Sequence, residues 1–182
     1  MMPKIIFSAI LLLIITACNS SSKNKATLNE NASADATYYF IRHADKVRGP
    51  NAGENPALNK TGKARAEFWA EQFKDIDFDA VYSTDFTRTR NTALPTAKKN
   101  NLSVQIYEPS TTFYSNFKNE NSGKTVLIVG HSNTTPAFVN AILGTQKYSE
   151  INDATYGNLY IVRIINGVAE VELKDLNNWN NQ

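Results

Sequence analysis

The chain has 182 residues, 19 basic against 17 acidic side chains, one cysteine and two histidines. So even a balance implies no broad basic face and argues against nucleic acid as a partner. The single thiol excludes an intramolecular disulfide, and no internal repeat is visible.

The N-terminal segment stands apart from the rest. Lys4 precedes the apolar run "IIFSAILLLII", which ends in "ITAC", Ile15 to Cys18. The run is short for a membrane span, and small residues precede the cysteine. It resembles a bacterial lipoprotein signal peptide over residues 1–17, which implies cleavage before Cys18 and acylation of its thiol. An ordinary secretory signal or a marginal membrane anchor suits the same residues. Residues 18–36 then hold a single large apolar residue, Leu28, and read as a flexible tether. Loss of Lys4 leaves 18 basic against 17 acidic residues, and residues 37–182 are long enough for one domain with its own core.

From Thr37 onward, strand-like and helix-like segments alternate. This predicts an α/β three-layer sandwich whose central sheet is mostly parallel, mixed, and flanked by helices. Strands are expected at Thr37–Ile41, Ala80–Ser83, Ser103–Tyr107 and Thr125–Val129. Between the first two, Ala66, Trp69, Ala70 and Phe73 recur at helical spacing and mark a core-facing helix. "STDFTRTRNTA" opens with good N-cap residues and starts a second helix that Pro95 is expected to bend. Thr135 is expected to cap a later helix with Pro136 at its first position and Gly144 past its end. "LYIVRIINGVAEVEL" places Asn166-Gly167 between two apolar runs and signals a hairpin.

Parallel sheets bind ligands at the carboxyl ends of their strands. The first strand ends in Arg42 and His43, the second leads to Arg88 and Arg90, the third ends in Glu108, and the fourth in Gly130-His131-Ser132. Charged strand ends often simply enter water. Here, however, both histidines of the chain fall on one rim beside cationic groups, which points to an anion site. Two histidines, arginines and a carboxylic acid suffice for phosphoryl transfer: a neutral imidazole attacks, guanidinium forks hold the oxygens, and the acid protonates the leaving group. His131, just ahead of a helix, is expected to draw help from backbone N–H donors. No residues suggest a metal or other cofactor, since two histidines without a carboxylate cluster make a poor zinc set.

"FIRHADK", "LNKTGKARA", "YSTDFTRTRNTA" and "VLIVGHSN", in this order, resemble the histidine phosphatase superfamily, the phosphoglycerate-mutase-like fold. The resemblance spans Tyr38 to about Leu176. It implies a phosphohistidine intermediate on His43, catalytic roles for Arg42, Arg88, Glu108 and His131, and a phosphate pocket of Arg42, Arg88, His131 and Ser132. Within the third motif it selects Arg88 over Arg90. Asn59 replaces a usual threonine, and Ala44 a usual glycine. The general acid is assigned to Glu108, with Asp45 as rival. "STTFYSNFKNENSGK" is the one candidate lid, with Phe113 and Tyr114 facing the entrance. The expected activity is a metal-independent phosphomonoester hydrolase acting on a small phosphorylated substrate. A phosphoprotein, phosphohistidine-type phosphatase and a silent phosphate-binding lipoprotein are the alternatives. The expected protein is monomeric and anchored through Cys18 in the bacterial cell envelope, periplasmic or outer-membrane associated.

Overall fold

The computed structural model describes residues 34–50 and 52–179, so the signal-like segment and Cys18 lie outside the described residues. In chain order the elements are β1 (Ala36–Arg42), α1 (Lys60–Gln72), β2 (Ala80–Ser83), α2 (Thr87–Lys99), β3 (Val104–Ile106), α3 (Thr111–Glu120), β4 (Thr125–Gly130), α4 (Thr134–Leu143), β5 (Asn158–Ile165) and β6 (Val168–Asp175). Ala36, read as the end of the tether, is thus the first residue of β1.

The strands form one mixed sheet in the order β3-β2-β4-β1-β5-β6. β1, β2, β3 and β4 run parallel, and the β5–β6 hairpin closes one side antiparallel. Asn166 and Gly167 both have positive φ, 51° and 81°, as a two-residue primed turn demands.

Side chains of the central strands alternate between two apolar cores, one on each face of the sheet. Tyr38, Phe40, Val126 and Ile128 pack with Phe117 of α3 and Phe138 of α4. Ile41, Leu127 and Val129 pack with Trp69 of α1 and Ala93 and Ala97 of α2. The sandwich is therefore three layers deep, as the alternating pattern predicted, and the aromatic stripe of α1 is core.

Helix starts differ from expectation in two places. Phe86, not a polar residue, precedes α2 and offers no side-chain cap; the orphan N–H of Thr87 is taken instead by Asn55 Oδ1 at 2.9 Å, from a distant loop. α2 continues as one helix through Pro95 to Lys99. For α4 the cap is Asn133, whose Oδ1 accepts from Thr134 N at 2.9 Å. Pro136 still lies within the first turn, where its missing N–H costs nothing.

α3 is no lid. Phe113 stacks on Tyr107 and Tyr114 on Phe138, with ring centroids 4.9 and 4.2 Å apart. Their apolar area is better satisfied against the core than at a watery entrance.

Candidate active site

The register of β1 on β4 pairs Arg42 with Gly130, which sets His43 beside His131 at the carboxyl end of the sheet. The two imidazole rings lie 5.4 Å apart, edge to face. Around them opens a cavity of about 760 Å³ whose walls include Arg42, His43, Arg88, Glu108, His131 and Ser132. All the residues assigned from sequence to the catalytic and phosphate-binding set meet in this one cavity.

His43 is 3% exposed, and its Nδ1 lies 2.8 Å from the carbonyl oxygen of Ala44. A carbonyl only accepts, so Nδ1 carries the proton and Nε2 keeps its lone pair. Burial is the main reason its pKa falls to about 3; the charges of Arg42, His131 and Arg88 add to the effect, and the bond to Ala44 opposes it. The ring is neutral at any ordinary pH. Its exit from β1 is held by α2 and α1. Thr92 Oγ1 accepts from Ala44 N at 2.9 Å and donates to Arg88 O at 2.8 Å. At Gly62 a Cβ would come within 2.0 Å of Asp45 O, so only glycine lets α1 approach this segment. Asn59, in place of the usual threonine, does a cap's work: its Oδ1 accepts from Gly62 N at 2.8 Å.

His131 is fixed by hydroxyls. Thr84, 1% exposed, donates to Thr89 Oγ1 at 3.1 Å, and Thr89 donates to Thr84 O at 2.8 Å. Thr84 Oγ1 therefore accepts from His131 Nε2 at 2.9 Å, which leaves Nδ1 toward Arg88 Nη2, 3.4 Å away. Burial, then Arg88, Arg42 and Lys46, lower the His131 pKa to about 4. Three of the backbone N–H groups at the start of α4 are already engaged. His131 N donates to Thr134 Oγ1, and Thr134 N and Thr135 N are taken by Asn133 Oδ1 and His131 O. Ser132 lines the cavity but gives its hydroxyl proton to Glu150 Oε1 at 2.9 Å.

Arg88, in the first turn of α2, lies over the Phe86 ring at 4.4 Å, and its Nε and Nη1 are buried without a hydrogen-bond partner. Arg42 Nε is orphaned in the same way. Buried N–H groups left unsatisfied are costly, and three of them belong to the two arginines that share the cavity wall with the histidines. Arg90 is ion-paired with Asp85 and is not part of the cavity wall, as the spacing anticipated. Among the described residues Glu108 has no ion pair or hydrogen-bond partner and is exposed on the cavity wall. Asp45, its rival, is tied to Arg65 Nε at 2.7 Å and lies outside that wall.

Sequence reasoning missed the loop before β5. Asp153 lies on the cavity wall and Tyr156 faces His43, ring centroids 6.0 Å apart. Because β5 runs antiparallel to β1, its N-terminal end, not its carboxyl end, reaches this rim: Leu159 pairs with Ile41. The hairpin signal at Asn166-Gly167 set β5 antiparallel to β6 but not to β1, so it did not place this loop at the site.

The model of the histidine phosphatase superfamily (branch 1) matches residues 38–109. No curated protein matches the sequence. Among solved structures, a mycobacterial glucosyl-3-phosphoglycerate phosphatase is similar at TM-score 0.62 and 11% identity, covering 79% of this chain and 99% of its own. The protein histidine phosphatase SixA complexed with tungstate gives 0.62 and 16%, over 79% and 99%. A phosphoserine phosphatase from Entamoeba histolytica in complex with 3-phosphoglyceric acid gives 0.59 and 16%, over 77% and 97%. At these identities the shared property is the fold, the α/β sandwich described above.

The family match over residues 38–109 and the shared fold make the chain similar to the histidine phosphatase superfamily, branch 1. That similarity supports a phosphatase of the histidine type.

Proposed function

We propose that the protein is a metal-independent phosphomonoester hydrolase working through a phosphohistidine on His43. The observation that carries this reading is the set of orphaned guanidinium donors, Arg42 Nε with Arg88 Nε and Nη1, around a buried neutral imidazole. A phosphoryl group seated on those donors has its charge neutralised and its phosphorus exposed to His43 Nε2, and its negative charge favours a proton on His131 Nδ1, which then donates to it. The N–P bond forms as the ester P–O bond breaks, and the leaving oxygen takes a proton from Glu108. Water then attacks the phosphohistidine, Glu108 recovers a proton from it, and the N–P bond breaks to release phosphate.

The cavity wall carries mainly charged and polar groups, with Phe86 (38% exposed) as its large apolar member, which suits small phosphate esters. A phosphoprotein is the second reading, supported by the fold shared with a protein histidine phosphatase. The lipoprotein-like start places the enzyme, in this proposal, in the bacterial envelope.

The test is rapid quenching after brief exposure to substrate. Phosphate is expected on His43, labile to acid and stable to base, absent in His43→Ala, with turnover unchanged after dialysis against EDTA. Acid-stable phosphoserine, or activity lost to EDTA and restored by zinc or magnesium, refutes the mechanism.

A further inference from the structure

Arg42 is 2% exposed, yet its guanidinium is satisfied along one edge alone. Nη1 donates to the carbonyl oxygens of Asn152, Asp153 and Thr155 at 3.0, 3.2 and 2.9 Å, and Nη2 to Asp153 Oδ1 at 2.8 Å. Nε, also buried, donates to nothing. The Tyr156 ring lies under the guanidinium carbon at 4.4 Å. A guanidinium offers an oxyanion either its Nη1–Nη2 end or its Nε–Nη2 side. The loop occupies the end, so the side remains for phosphate.

The loop residues are braced in turn by Arg48. Its Nη1 meets Asp153 Oδ2 at 2.6 Å, and its Nη2 meets the Tyr156 hydroxyl at 2.6 Å and Asp153 O at 3.2 Å. Arg42, Asp153, Arg48 and Tyr156 thus close a ring of contacts across the rim. The Asp153–Arg48 pair itself adds little stability: the two side chains are 65% and 51% exposed, and exposed ion pairs contribute about 0–1 kcal/mol. The effect of these contacts is on direction, because a planar fork held at Nη1 and Nη2 and stacked on a ring has little freedom to turn.

We propose that Asp153, braced by Arg48, is a positioning residue that aims the Nε–Nη2 side of Arg42 at the substrate phosphoryl group. The inference rests on the phosphate-pocket reading above. The opposite role, a carboxylate that occupies the anion site until phosphate displaces it, requires both ion pairs of Asp153 to break on binding. It also leaves unexplained why three backbone carbonyls hold Nη1 from the same loop.

Calorimetric titration of the full-length protein with inorganic phosphate separates the two, using wild type, Asp153→Ala, Arg48→Met and the double variant. Misdirecting one fork is expected to weaken phosphate binding about ten- to a hundredfold. The double variant is expected to bind no more weakly than Asp153→Ala, since Arg48 acts through Asp153. Melting temperatures are expected to fall by no more than about 4 °C. Phosphate bound as tightly or more tightly by Asp153→Ala overturns the positioning role, and so do additive losses. Failure of the wild type to bind phosphate refutes the pocket itself and this inference with it.

Discussion

The Nδ1 of His43 donates to the carbonyl oxygen of its own neighbour, Ala44, at 2.8 Å. This short-range bond decides which nitrogen is free. It directs the Nε2 lone pair into the cavity and costs no other side chain its partner.

The low pKa of both histidines has a consequence for stability. Folding holds His43 near 3 and His131 near 4, whereas an unfolded histidine titrates near 6.5. Between these values the unfolded chain binds more protons, so stability is full above pH 6.5 and falls as the pH drops toward 4, by about 1.4 kcal/mol per unit for each group. Melting curves from pH 8 to 4 are expected to show this decline, with a shallower slope in His43→Gln. Parallel slopes for the two proteins contradict a neutral, buried His43.

The identity of the proton donor is read from leaving groups. With an alkyl phosphate, Glu108→Gln is expected to lose about 10²–10⁴-fold in kcat/KM. With p-nitrophenyl phosphate, whose phenolate departs unaided, the loss is expected to be far smaller. Asp45→Asn, which breaks only the pair with Arg65, is expected to show no such contrast. The reverse pattern reassigns the acid to Asp45.

Arg88 and Arg90 are two residues apart and face different surroundings. Arg88→Met removes two orphaned donors from the cavity and is expected to lower kcat/KM by about 10³-fold, the low end for an arginine that stabilises phosphoryl transfer. Arg90→Met removes only an exposed pair with Asp85 and is expected to leave the rate within about twofold. Comparable losses in both variants contradict the assigned pocket.

Membrane attachment is proposed from Cys18. Wild-type protein is expected to partition into detergent and Cys18→Ser to remain in the aqueous phase. Equal partitioning of the two points to an uncleaved anchor.

Periodicity was enough for the layers. The Ala66, Trp69, Ala70, Phe73 stripe and the alternation in β1 and β4 dictate which faces are buried, because burying apolar area is the dominant driving force and has a period that can be read locally. The reactive set was legible for a similar reason: parallel strands deliver their carboxyl ends to one rim, and motif order names the residues standing there. Three things were decided only by the tertiary structure. Asn55 caps α2 from a loop remote in sequence, where local residues promised a cap of their own. Phe113 and Tyr114 turn to the core, because α3 packs on α4 rather than on the cavity. Asp153 and Tyr156 reach the site through an antiparallel strand, and their contacts to Arg42 cross more than 100 residues of chain. Such contacts depend on how elements dock, and docking leaves no period in the sequence for a local reading to find.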